Sequence, residues 1–188
     1  MKKISFLLIV ATTIASAQLR VGVDVSRKMK VTPSFPAEVK ALFLSMGEEM
    51  PGSEIMTAEG LGFSVGYDFM LASLVGVGAE LNIASESDDE DGGPSNQIFA
   101  YSIVKLPFGV PFARGVVRVG IAKSFEEGID PGLGYGFGLR IKPPLFPIGA
   151  EASYNIYNYS QEEKDPELGT MKYDLKQSYM NLSLTYSF

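Results

Sequence analysis

From Ser178 to Phe188 the side chains alternate without a break. Met180, Leu182, Leu184, Tyr186 and Phe188 fall on one face, and Tyr179, Asn181, Ser183, Thr185 and Ser187 fall on the other. A period of two belongs to a strand, because successive side chains point to opposite sides of a pleated backbone. The strand therefore has one apolar face and one polar face. In a soluble sheet the apolar face needs a second protein layer. In a membrane-spanning barrel, lipid covers it. One strand does not decide between these, so the other strands must.

Seven further segments alternate in the same way. The first, about 19–25, sets Leu19, Val21, Val23 and Val25 against Arg20, Gly22, Asp24 and Ser26. The second, about 61–69, sets Leu61, Phe63, Val65, Tyr67 and Phe69 against Gly62, Ser64, Gly66 and Asp68. In the third, Val75, Val77, Ala79, Leu81 and Ile83 oppose Gly76, Gly78, Glu80 and Asn82. The fourth, about 97–106, has the least distinct faces, and we expect Phe99, Tyr101 and Ile103 to point outward. In the fifth, about 113–122, Gly115, Val117, Val119 and Ile121 oppose Arg114, Val116, Arg118 and Gly120. In the sixth, about 132–141, Leu133, Tyr135, Phe137, Leu139 and Ile141 oppose three glycines and Arg140. In the seventh, about 148–157, Ile148, Ala150, Ala152, Tyr154 and Ile156 oppose Gly149, Glu151, Ser153 and Asn155.

With the terminal segment this makes eight strands, and their connections alternate in kind. Those after the second, fourth and sixth are short, apolar or proline-rich. Those after the odd strands are longer and mostly acidic, including Ser85–Gly93 and a charged stretch from Ser160 to Asp174. Short turns at one end and long loops at the other are the pattern of outer-membrane barrels. An even strand count puts both termini at the short-turn end. Strands of about nine to eleven residues cross hydrocarbon when tilted.

The N-terminus carries Lys2 and Lys3, an apolar run from Ile4 to Val10, and Ala15-Ser16-Ala17. That is the layout of a secretory signal peptide, so residues 1–17 are expected to be removed and 18–188 to form one barrel domain. No later segment holds the roughly 18 apolar residues a spanning helix needs, and only helices and closed barrels satisfy the backbone in lipid. Without Lys2 and Lys3 the formal charge of −6 becomes −8, which argues against nucleic acid as a partner. The chain has no Cys, so disulfides contribute nothing to its stability.

The signal peptide, the alternating strands and loops, and the terminal Leu182-x-Leu184-x-Tyr186-x-Phe188 pattern resemble the small eight-stranded outer-membrane β-barrel family of bacteria with two membranes. The resemblance covers the whole of 18–188. It implies residence in the cell outer membrane, a monomer in contact with outer-membrane lipid, and recognition of the terminal pattern by the barrel-assembly machinery. The chain departs from the family's aromatic girdle in having no Trp. Tyr67, Phe69, Tyr135, Phe137, Tyr154, Tyr157, Tyr186 and Phe188 are candidates to replace it. Members range from anchors and adhesins to small-solute channels and lipid-modifying enzymes, so fold alone does not give function.

If the apolar faces meet lipid, the lumen receives Arg20, Asp24, Asp68, Glu80, Arg114, Arg118, Arg140 and Glu151, four cations and four carboxylates. Facing lipid, a Lys or Arg costs about 2–4 kcal/mol at the midplane; in a narrow lumen it can pair. Threading the strands up and down puts Arg20, Asp68, Arg114, Arg140 and Glu151 in the lower half, with Asp24, Glu80 and Arg118 nearer mid-membrane. Eight strands leave an interior that side chains can fill. The bland reading is a closed ionic plug. The alternative is a narrow pore, or a gate made by rearranging pairs such as Glu80–Arg118.

Pro36–Met50 reads as a short helix in the first long loop, with Val39, Leu42, Phe43, Met46 and Met50 at helical spacing and Pro51-Gly52 at its end. It can pack on the rim, plug the mouth, or prove to be a strand extension. Asp88–Asp91 has acceptor oxygens for Ca²⁺ but not the spacing of a Ca²⁺ loop, so we expect no metal site. Gly132-x-Gly134-x-Gly136-x-Gly138 has the period of a strand interior rather than of a nucleotide loop. With no His and no Cys, neither a Ser-His-Asp nor a Cys-His arrangement can form. A carboxylate-only mechanism stays open, but spacing singles out no pair, and no cofactor is implied.

The expectation is an all-β, eight-stranded antiparallel up-and-down transmembrane barrel. Its expected role is non-enzymatic: structural, or interacting with an extracellular partner through the long loops. Passage of small solutes is the runner-up. A soluble ligand-binding barrel with the faces inverted is the third reading.

Overall fold

A computed structural model describes residues 16–50, 52–57, 61–84, 96–165 and 169–188. Most of the expected signal peptide and the Asp88–Asp91 run lie outside these residues. The elements are β1 (Ser16–Ser34), α1 (Ala37–Met46), β2 (Glu54–Thr57), β3 (Gly62–Met70), β4 (Val75–Ala84), β5 (Gln97–Pro107), β6 (Ala113–Ser124), β7 (Ile129–Ile141), β8 (Ile148–Asp165) and β9 (Gly169–Ser187).

Strands β1 and β3 to β9 pair antiparallel in chain order, and β9 closes onto β1 from Gln18–Ser187 outward. The result is the eight-stranded up-and-down barrel the alternation implies. A closed cylinder has no free edge, so its backbone pairing is complete without a partner, as a barrel in lipid requires. The faces are inside-out relative to a soluble protein. Leu184 is 64% exposed and Glu151 3%. This overturns the soluble reading, which needs an apolar interior.

The cylinder is lopsided. β3 and β4 have 9 and 10 residues, but β1, β8 and β9 have 19, 18 and 19. At about 3.3 Å per residue, the longer strands run roughly 30 Å farther. The charged stretch read as a loop from Ser160 to Asp174 is strand to Asp165 and strand again from Gly169. The short β2 was not foreseen. It pairs with β1 over Lys28–Val31, above β3 on the same edge. Thus β2, β1, β9 and β8 form a wall standing beyond the rest of the barrel. On this wall Glu162 and Lys172 make an exposed pair at 2.5 Å. Their hydrogen bond lowers the Glu162 carboxyl and raises the Lys172 ammonium from their usual values.

A β-bulge makes the lower part of β1 continuous with this wall. The register to β9 shifts between Val25 and Lys28, and Ser26 has φ 53°. One extra residue reverses the facing of everything after it. Ser26, expected inside, is exposed, whereas Arg27 turns in and is buried. Met29 and Val31 then face the same core as Leu175 and Tyr179.

β5 reverses the expectation made for it. Phe99, Tyr101 and Ile103 point inward and are buried, while Ile98, Val104 and Leu106 face out. Both faces of β5 are apolar, so alternation cannot choose between them. Space on the neighbouring strands can. A Cβ at Gly134 would lie 2.7 Å from the Phe99 ring, and one at Gly78 would lie 2.6 Å from the Tyr101 ring. Tyr157 is likewise buried inside, edge-on to Phe99 at 5.1 Å, and is no part of an outer girdle.

α1 is shorter than expected. Gly47, left-handed at φ 70°, ends it before Pro51-Gly52 is reached, and its N–H and that of Glu48 cap the carbonyls of Leu44 and Phe43. It buries Val39 and exposes Leu42, Leu44 and Met46, so it lies as a surface helix rather than as a plug.

Candidate functional site

Period-two strands deliver their polar faces to one narrow space, and the side chains there form three layers. At the short-turn end, Gln18 of β1 meets Lys105 of β5 and Arg140 of β7. The Lys105 ammonium donates to the Gln18 amide oxygen at 2.5 Å, and Arg140 donates to the same oxygen.

The middle layer is ionic. Arg20 pairs with Glu80 and lies 3.5 Å from Glu151. Arg118 Nη2 lies 2.7 Å from Glu151 Oε1. Arg140 Nη2 reaches Glu151 Oε2 at 2.5 Å and Asp68 Oδ2 at 2.9 Å. The Tyr101 hydroxyl donates to Asp68 Oδ1 at 2.7 Å, and the Arg118 guanidinium sits 5.5 Å from the centre of the Tyr101 ring. Each of these side chains is at most 4% exposed. Taking such ions out of water costs several kcal/mol apiece, and only dense pairing offsets it.

The layer above is built of amides and phenols. Asn181 Nδ2 donates to Asp24 Oδ1 at 2.6 Å and to Ser64 Oγ at 2.7 Å. Asn82 Nδ2 bridges Asp24 Oδ2 and Glu80 Oε1 at 3.2 and 2.9 Å, tying this layer to the ions below. Gln97 bonds to the hydroxyls of Tyr159 and Tyr179. The Tyr179 and Tyr157 rings stack at 5.6 Å.

The eight charges read from sequence are therefore not one set. Arg20, Asp68, Glu80, Arg118, Arg140 and Glu151 are joined. Asp24 lies a layer above them, held by asparagines. Arg114 sits apart at the short-turn rim, donating to the Ser73 carbonyl at 3.3 Å. Glu80 and Arg118, named as a gating pair, do not pair directly: Glu80 goes to Arg20 and Arg118 to Glu151. Nor does the expected division by depth decide the pairing, because Glu151 of the lower group reaches Arg118 of the upper one as well as Arg20 and Arg140. Sequence reasoning missed Lys105, hidden by the wrong facing of β5, and Arg27, hidden by the bulge. Among the described residues, no three His, Cys, Asp or Glu side chains cluster to hold a metal.

No protein-family model matches the chain. No curated protein matches it either. Solved structures do. The outer membrane protein OprG from Pseudomonas aeruginosa is similar at 11% identity and a TM-score of 0.54, over 93% of this chain and 96% of that one. Ail, the attachment invasion locus protein of Yersinia pestis, solved with the heparin analogue sucrose octasulfate, is 15% identical at a TM-score of 0.43, over 93% and 99%. At these identities the likeness bears on fold alone, and OprG carries it. The chain has the fold of the eight-stranded outer-membrane β-barrels.

Proposed function

We propose that this protein is a non-enzymatic barrel of the bacterial outer membrane, closed through its lumen, which holds the β2-β1-β9-β8 wall and its loops outside the cell. The observation that carries the reading is the mid-lumen layer. Arg20, Glu80, Arg118 and Glu151 are buried at 0–3% exposure, and Phe99, Tyr101 and Ile103 of β5 are buried on the same lumen side at 0–4%. A conducting path would leave some of these side chains wet.

The apolar outer band, with Val21, Phe63, Val77, Leu139 and Leu184 all exposed, supports burial in lipid. Leu182, Leu184 and Tyr186 on β9 and Phe188 just after it are all exposed, which supports their reading by an assembly machinery. Leu175 on the wall belongs to the barrel's buried apolar cluster, and Met29, Val31 and Tyr173 pack against it, which ties the wall to the cylinder. The wall is therefore a preformed surface on which an extracellular partner could dock.

Single-channel recording in planar bilayers tests the closed lumen. The expected result is no steady conductance from the native chain, with openings in Glu80→Gln, where Arg20 loses its carboxylate. Steady native conductance would assign the barrel to passage of small solutes instead. If Glu80→Gln changes neither conductance nor stability, the mid-lumen layer has no role in closing the barrel.

A further inference from the structure

Below the ionic layer, at the short-turn mouth, lies a cavity of about 380 Å³. Its charged lining is Lys105, Arg114, Arg140 and Lys142, with no Asp or Glu among its walls. This is not drift in composition, since the chain carries 22 acidic residues against 16 basic ones. Four cations have been brought to one concave surface of an acidic protein.

Their partners do not neutralise them. Arg140 is matched by Asp68 and by Glu151, but Glu151 is also engaged by Arg20 and Arg118 above. Lys105 is 4% exposed and makes no ion pair among the described residues. Its ammonium and the Arg140 guanidinium share one neutral oxygen, that of Gln18. A buried cation on a neutral acceptor has unused capacity for negative charge. Arg114 donates to the Ser73 carbonyl and makes no ion pair among the described residues. Low-dielectric walls of one sign concentrate the field in the cavity they enclose. Pro111, Pro143 and Pro144 stiffen the rim, so little ordering is left for a ligand to impose.

We propose that this cavity binds a small carboxylate or phosphate group, with Lys105 at its floor and Arg114 at its rim. The group can come from a free solute or from a phospholipid headgroup of the adjacent leaflet. The proposal stands whether or not the lumen conducts.

The test uses the whole barrel in phosphatidylcholine nanodiscs, followed by the NMR signals of the Gln18 side-chain amide and the Arg114 Nε–H. One arm adds inorganic phosphate. The other replaces part of the lipid with phosphatidylglycerol. A saturable shift is expected in at least one arm; phosphate alone suffices if the source is free solute, and phosphatidylglycerol alone marks a headgroup. Lys105→Gln with Arg114→Gln should weaken the response at least tenfold, while Lys28→Gln at the opposite end should leave it unchanged. Should the double variant fail to fold, Arg114→Gln alone, at a half-buried rim position, should still weaken it severalfold. No saturable shift in either arm, or a shift that survives loss of Arg114 unchanged, overturns the proposal.

Discussion

Glu151 on β8 meets Arg118 on β6 at 2.7 Å, with both side chains wholly buried. The same carboxylate lies 2.5 Å from Arg140 and 3.5 Å from Arg20. Three guanidinium groups share it. Glu151→Gln keeps the shape and removes the charge, leaving buried cations short of a partner. Breaking a buried pair from one side costs about 3–5 kcal/mol. Urea unfolding in detergent should show a loss of that size. Adding Arg118→Met should recover part of it, because a cation and its missing partner are then removed together. A Glu151→Gln barrel as stable as the native one would mean that the network carries no net stabilisation.

The aromatic layer makes a steric prediction. Gly134 faces the lumen, where a Cβ would stand 2.7 Å from Phe99 Cε2 and 2.8 Å from Tyr157 Cδ1. Both rings are fully buried and packed edge to face, so neither has room to withdraw. Gly134→Ala should destabilise by about 1–3 kcal/mol, the usual cost of overpacking. Gly52→Ala, with nothing within 4 Å, should change stability by no more than a few tenths in the same assay, about the scatter of a neutral surface site.

On the outward face of the wall, Lys30 of β1 is directly opposite Lys176 of β9, and Lys28 is the next outward residue. All three are exposed and make no ion pair among the described residues. Like charges directly opposite on a sheet are destabilising. Lys30→Glu should therefore stabilise the barrel by about 0.2–1 kcal/mol in uncharged detergent. The gain should shrink with added salt, because exposed charges are screened. Equal stability at low and high salt would show that the two side chains are not neighbours and that the β1–β9 register above the bulge is wrong.

The sequence makes the barrel legible wherever the two strand faces differ in polarity. An apolar outside and an ionic inside impose that difference on β1, β3, β4 and β6 to β9 through residues such as Val21 beside Arg20 and Ala150 beside Glu151. β5 has no such contrast, because Phe99, Tyr101 and Ile103 fill lumen space left by glycines on other strands. That information lies in Gly78 and Gly134, not in β5 itself. The wall was read as loop because its outer face meets water, so its charged residues no longer signal a lumen. The bulge at Ser26 is a backbone event with no mark in hydropathy, and it alone decides that Arg27 faces in. Pairing in the lumen was hardest to read. An arginine reaches past its neighbouring strands, as Arg20 of β1 does to Glu80 of β4, so depth along a strand does not name the partner.

Phe188 separates folding from assembly. Its ring is 72% exposed and rests on Tyr186 at 4.9 Å, and its backbone N–H bonds to the Ala17 carbonyl. Replacing the side chain removes little buried area, so Phe188→Ser should cost less than about 1 kcal/mol in the refolded barrel. If the ring serves as part of a signal with Leu182, Leu184 and Tyr186, insertion in cells should fall severalfold while refolding into detergent in vitro stays near the native yield. The two yields are read on the same gels, from the shift between heated and unheated barrel. An equal fall in both would make Phe188 a structural residue of the closing strand, and no change in either would remove it from the assembly signal.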